Sequence, residues 1–147
     1  MTEHRVAVLL VEDNPDDVDL TLHALKSHLV TNPIEVVRDG AEALEFLFAK
    51  GAYTHRRIDD APKLTLLDLK LPTIEGVEVL RRIKTDPRTQ VIPVVMITSS
   101  REERDIIESY QLGVNSHIVK PVDFEQFKEA VKHIGLYWLL LNQPLAR

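Results

Sequence analysis

Cysteine is absent from the 147 residues. That excludes a disulfide framework and any thiolate-bound metal. Six histidines are present, His4, His23, His28, His55, His117 and His133, but none are spaced as zinc ligands are. An excess of positive charge is missing too. The net charge of −5 argues against a nucleic-acid-binding face. No apolar run approaches the length of a membrane span. No secretory or transit segment opens the chain, because Val6 to Val11 follows a charged start and is too short. No glycine-rich run precedes a Lys-Ser/Thr pair, so there is no Walker-type loop for ATP. The expectation is a soluble, cytoplasmic protein with no membrane or nucleic-acid partner. Its length suits one domain with a real core.

Against these absences stands an alternation of short apolar runs with helical patterns. Arg5 to Val11 is Val-rich, short and followed by Asp13-Asn14-Pro15, the pattern of a strand buried on both faces. Asn14 suits an N-cap and Pro15 the first helical position. Asp16 and Asp17 fall where the helix dipole favours acids. Val18, Leu22, Leu25 and Leu29 make the buried stripe. Ile34 to Val37 is a second strand. Asp39-Gly40 is a turn, and Ala43, Leu44, Leu47 and Phe48 mark a second helix stopping near Gly51. The polar stretch Gly51–Lys63 is long for a loop and is either functional or mobile.

Leu64 to Asp68 is a third strand, broken at Leu71-Pro72. Gly76, Val79, Leu80 and Ile83 carry a third helix, ended by Asp86-Pro87. Pro93 to Ile97 is a fourth strand, running into Thr98-Ser99-Ser100. Glu102 and Glu103 open a fourth helix carrying Ile106, Ile107 and Tyr110, with Gly113 as its C′ residue. Ser116 to Val119 is a fifth strand, ending at Lys120-Pro121. Asp123 caps a long last helix reaching about Leu141. Five strands alternating with five helices predict an α/β fold, a doubly wound parallel sheet covered on both faces.

In a parallel sheet all strand C-termini share one edge, where chemistry collects. Glu12 and Asp13, Asp68, Thr98 and Lys120 all fall there. Singly, each has a dull reading as a turn acid, a helix cap or a surface charge. Jointly they converge. Three crowded carboxylates repel unless a cation sits among them, and Mg²⁺ suits such a donor set. A lysine and a hydroxyl beside that ion make a receptor for a phosphoryl group. An ionised Asp then attacks phosphorus and forms an acyl phosphate, with positive charge neutralising the transferring oxygens.

Val11-Glu12-Asp13-Asn14, Leu67-Asp68-Leu69-Lys70-Leu71-Pro72 with Gly76, Ile97-Thr98-Ser99 and Val119-Lys120-Pro121 together resemble the receiver domain of two-component response regulators. The resemblance covers nearly the whole chain, 1–147, as a single receiver domain with an extended C-terminal helix and no effector domain. It implies a flavodoxin-like strand order 2-1-3-4-5. It implies that Asp68 accepts a phosphoryl group from a sensor histidine kinase. Glu12, Asp13, Asp68 and the main-chain carbonyl of Lys70 would hold Mg²⁺ or Mn²⁺. Thr98, with Ser99, would bond the phosphoryl oxygens, Lys120 would pair with them, and Lys120-Pro121 would be cis. Three residues before the lysine, most receivers carry a Tyr or Phe that moves inward on activation. Here it is His117, which departs from that pattern. The Gly51–Lys63 loop and Leu136-Tyr-Trp-Leu-Leu-Leu141 are similar to single-domain regulators that partner bacterial phytochromes.

Two other readings use the same architecture. An aspartate-nucleophile phosphatase typically needs a second Asp two residues after the nucleophile, where this chain has Lys70. A flavodoxin-like carrier needs a phosphate-cradling loop after the first strand, where Glu-Asp-Asn-Pro-Asp-Asp would repel phosphate without a metal. The expectation is therefore no enzyme beyond its own phosphorylation and dephosphorylation chemistry. In the final helix, Phe124, Phe127, Val131, Ile134, Trp138 and Leu141 step by three and four. From Leu136 to Leu141 the helix is apolar all round, which requires burial on every side. That predicts a homodimer with Leu136, Tyr137, Trp138 and Leu140 at its interface.

Overall fold

The computed structural model describes residues 6–27, 32–99, 108 and 110–141. Among them, five parallel strands form one sheet: β1 (Val8–Val11), β2 (Ile34–Val37), β3 (Leu64–Asp68), β4 (Val94–Thr98) and β5 (Ser116–Val119). Their order is β2-β1-β3-β4-β5, the flavodoxin-like order. The helices are α1 (Pro15–Lys26), α2 (Gly40–Phe48), α3 (Gly76–Thr85), α4 (Phe124–His133) and α5 (Tyr137–Leu140). The predicted helix through Glu102, Glu103, Ile106 and Ile107 lies outside the described residues, but its end, Glu108 and Tyr110–Gln111, is helical. Gly113 follows it with φ 102. His4, Arg5, His28 and Leu29 also lie outside. No described helix is long and apolar enough to cross a membrane.

Continuous apolar strands give two cores, because successive side chains point to opposite faces. Val8, Leu10, Leu64, Leu66, Val95 and Ile97 pack under α1, α4 and α5. Leu9, Val11, Leu67, Val94 and Met96 pack under α2 and α3. Asn14 caps α1 as expected, its side chain accepting from Asp16 N at 2.8 Å and Asp17 N at 3.2 Å. Asp123 caps α4 through Gln126 N at 2.9 Å.

The long polar loop is held from inside. A 3-10 turn covers Gly51–Tyr53, and the Tyr53 hydroxyl donates to Glu42 at 2.7 Å. The Arg56 guanidinium lies 3.7 Å over the Phe46 ring and donates to the carbonyls of Phe46 and Asp60. Such stacking suits a planar guanidinium.

The C-terminal expectation needs correction. The last helix does not run to Leu141. α4 ends at His133, and Gly135 has φ 81. Gly135 N donates to Lys132 O at 3.1 Å and Leu136 N to Val131 O at 2.8 Å. This is the Schellman arrangement, in which a left-handed glycine stops a helix. The chain turns, and α5 carries Leu140 into the core at 1% exposure. Leu140 is therefore not an interface residue. Trp138 leaves the predicted seam and is 64% exposed.

Candidate functional site

The C-terminal edge of the sheet gathers its polar residues from three central strands and one flank. β1 ends at Val11, and Glu12 continues it, its N–H donating to Val37 O at 3.0 Å. Asp68 is the last residue of β3 and pairs in register with Ile97. Thr98 ends β4 and pairs with Val119 of β5. The Lys120 N–H donates to Thr98 O at 2.8 Å, which sets the lysine stem beside β4. The Lys120-Pro121 bond is cis.

These placements bring the acids together. Glu12, Asp13 and Asp68 each offer a carboxylate oxygen, and the three oxygens lie within 4.8 Å of one another. Glu12 and Asp68 are buried, at 1% and 4% exposure, while Asp13 is exposed. Lys120 Nζ reaches Glu12 Oε1 at 3.0 Å, Asp17 Oδ2 at 2.9 Å and Asp68 Oδ2 at 3.2 Å. The other Glu12 oxygen accepts from Asn14 N at 3.1 Å. Asp68 Oδ1 lies 3.4 Å from Lys70 N.

One ammonium thus serves several carboxylates. Burial pushes the Glu12 carboxyl up to about 7, and its hydrogen bond from Lys120 pulls only partly the other way. For Lys120, burial works against the charge, but the bonds to Asp17 and Glu12 outweigh it and hold the ammonium protonated more firmly than usual. Clustered oxygens with uncompensated negative charge are the donor chemistry that a hard divalent cation takes. Glu12, Asp13 and Asp68 fit such an ion. Thr98 is buried at the same edge.

The residues 8–132 match the model of the response regulator receiver domain. The chain belongs to that family. Receivers as a family bind Mg²⁺ or Mn²⁺ in an acidic pocket and accept a phosphoryl group on an aspartate. The bacteriophytochrome response regulator AtBRR is 50% identical, with a TM-score of 0.85 over 97% of this chain and 100% of that one. The bacteriophytochrome response regulator RtBRR is 47% identical, with a TM-score of 0.83 over 94% of this chain and 82% of that one. Response regulator Rcp1 of Synechocystis sp. is 39% identical over 132 residues, 90% of this chain and 88% of the relative. A structure of Rcp1 in its Mn²⁺-bound form is 37% identical, with a TM-score of 0.75 over 95% of this chain and 98% of that one.

Not every residue expected in this receiver's site joins the cluster equally. Lys70 and Ser99 are exposed at the rim. His117, in mid-strand on β5, meets Tyr110: the Tyr110 hydroxyl lies 2.9 Å from His117 Nδ1, with the rings edge to face. An aromatic ring is thus supplied beside the position where most receivers carry one, from the preceding helix. Asp17, which the sequence marks only as a helix-dipole acid, makes the shortest carboxylate contact to Lys120, at 2.9 Å. No local spacing signals this contact, because Lys120 lies 103 residues further along the chain.

Proposed function

We propose that Asp68 is the phosphoacceptor of a single-domain response regulator. The observation that carries this is the buried Asp68 carboxylate held between Lys120 Nζ and the Glu12–Asp13 pair at a strand's end. In the transfer, an Asp68 oxygen attacks phosphorus in line. The new O–P bond forms as the bond to the donor's nitrogen breaks, and the imidazole leaves with that electron pair. Glu12, Asp13, Asp68 and the Lys70 carbonyl would hold Mg²⁺ or Mn²⁺, which supplies positive charge to the phosphoryl oxygens when bound. The Lys120 ammonium supplies the remaining cation. The Thr98 hydroxyl, with Ser99 at the rim, bonds the phosphoryl oxygens, and His117 with Tyr110 responds at β5.

The donor is a sensor histidine kinase of the phytochrome type. Likeness to AtBRR and RtBRR, both bacteriophytochrome response regulators, supports that partner. We read the chain as a receiver domain, acting in the cytoplasm and signalling through protein contacts. Self-association is part of this reading. Trp138 and Leu139 are exposed on α5, with Tyr137 stacked edge to face on Trp138. These residues and Leu136, without Leu140, form the apolar surface available to a second copy. Light scattering at micromolar concentration should return a dimer; a monomer would refute that part. The function itself is tested by phosphotransfer from a panel of histidine kinases. A phytochrome-type kinase should label wild type fastest and leave Asp68→Asn unlabelled. Equal labelling of both proteins would overturn the assignment.

A further inference from the structure

Thr73 lies five residues after Asp68 and has φ 64. That is the left-handed region, an outlier for a β-branched residue. Pro72 O accepts from Ile74 N at 2.7 Å, which closes a three-residue γ-turn on Thr73, a rare and strained turn when its centre is left-handed. The turn is fastened to the start of α2. Pro72 O also accepts from Gly40 N at 3.2 Å. Thr73 Oγ1 accepts from Ala41 N at 3.0 Å and donates to Pro72 O at 2.6 Å. The third N–H of α2, from Glu42, goes to Asp39 Oδ1 at 2.7 Å. The approach is close: a Cβ on Gly40 would lie 1.9 Å from Ile74 O.

The other end of the loop is equally tied. Leu69 N donates to Ile97 O at 2.8 Å, and Gly76 N to Leu69 O at 3.0 Å. A Cβ on Gly76 would lie 2.2 Å from Asp68 O. Leu69 and Leu71 are buried. Lys70 therefore sits on a short span with both ends fixed. Glycine would make the same turn without strain, and Asp39 already caps α2. A strained residue persists where its surroundings hold it, and such residues cluster at functional sites.

We propose that Thr73 is a positioning residue for phosphoryl transfer. Its hydroxyl locks the Asp68–Gly76 loop onto α2 and so fixes the main chain at Lys70, where the divalent cation would be held. The inference rests on the Asp68 reading above. Outer groups that orient a ligand typically change metal affinity by about 10- to 100-fold when removed. Three variants separate positioning from plain stability. Thr73→Ala loses the hydroxyl and keeps the strained backbone. Thr73→Gly loses the hydroxyl and relieves the strain. Thr73→Ser keeps the hydroxyl.

The measurements are Mn²⁺ affinity by calorimetry, labelling rate with a small phosphodonor, and unfolding in urea. Thr73→Ala and Thr73→Gly should both lose about tenfold in Mn²⁺ affinity, although Thr73→Gly unfolds no more easily than wild type. Thr73→Ser should restore both affinity and labelling. Wild-type Mn²⁺ affinity in Thr73→Gly, alongside a loss in Asp68→Asn, would overturn the positioning role and leave the acceptor assignment standing. Wild-type affinity and labelling in Asp68→Asn would overturn both.

Discussion

The strand-end edge and the C-terminal segment are both places where side chains from distant parts of the chain meet, and they obey different logic. At the edge, position follows from topology. Once strands alternate with helices, the residue after each strand has one place to go. The cluster of Glu12, Asp13, Asp68 and Lys120 follows whatever the exact strand bounds are. At the C terminus, position depends on one backbone angle. A period of three and four predicts a continuous helix, and Gly135 at φ 81 breaks it and turns Leu140 inward. The edge tolerates local error, whereas the C terminus does not.

Substitutions on either side sharpen that contrast. The largest stability effect belongs to Leu140→Ala, which should cost about 2–5 kcal/mol because the side chain is buried in the core under α1 and α4. Chemical denaturation measures it, and a cost near zero would return Leu140 to the surface. Asp13→Asn should act in the opposite sense. It relieves carboxylate repulsion and so stabilises the cation-free fold, while weakening Mg²⁺ binding by roughly tenfold or more. An unchanged titration curve would remove Asp13 from the donor set.

Gly135→Ala should cost about 1–2 kcal/mol, the penalty for a Cβ in the left-handed region. Nothing lies within 4 Å of where that Cβ would be, so the effect is conformational rather than steric. If the variant instead gained stability, the continuous helix would be the better description. A further test uses pH. Burial holds the Glu12 carboxyl at about 7 in the fold, against an ordinary value of 4.5. Between those values the native state binds more proton than the unfolded state, so its stability falls as pH rises through that window. Urea unfolding in a chelator should show this slope flattened in Glu12→Gln, and equal slopes would argue against a buried, proton-binding Glu12. The smallest effect belongs to Trp138→Ala, which should change monomer stability by no more than about 0.5 kcal/mol while abolishing the proposed dimer in light scattering.

Most of the fold was legible because its signals are redundant. β2, β3 and β5 sit where the apolar runs put them, and Asn14 and Asp123 cap the helices expected of them. The failures share a cause, which is that tertiary contacts carry information periodicity does not. The sequence leaves Gly51–Lys63 as either functional or mobile, and the contact of Arg56 with Phe46 that holds it has no periodic signal. Asp17 reads in the sequence as a dipole acid, and no sequence pattern singles out Thr73. Their partners, Lys120 and Ala41, are distant in sequence. Gly135 was readable: a glycine followed by Leu136 at a helix end is the Schellman signal, and the apolar period beyond it masked the stop.

We propose that the strand-end carboxylates form a phosphoryl-accepting site with Asp68 as nucleophile. The most direct test is mass spectrometry of the intact and digested protein after incubation with Mg²⁺ and a small phosphodonor. One phosphoryl group should appear, mapped to Asp68, and it should be absent without the cation and absent in Asp68→Asn. A phosphoryl group mapped to any other residue, or undiminished labelling of Asp68→Asn, would contradict the account.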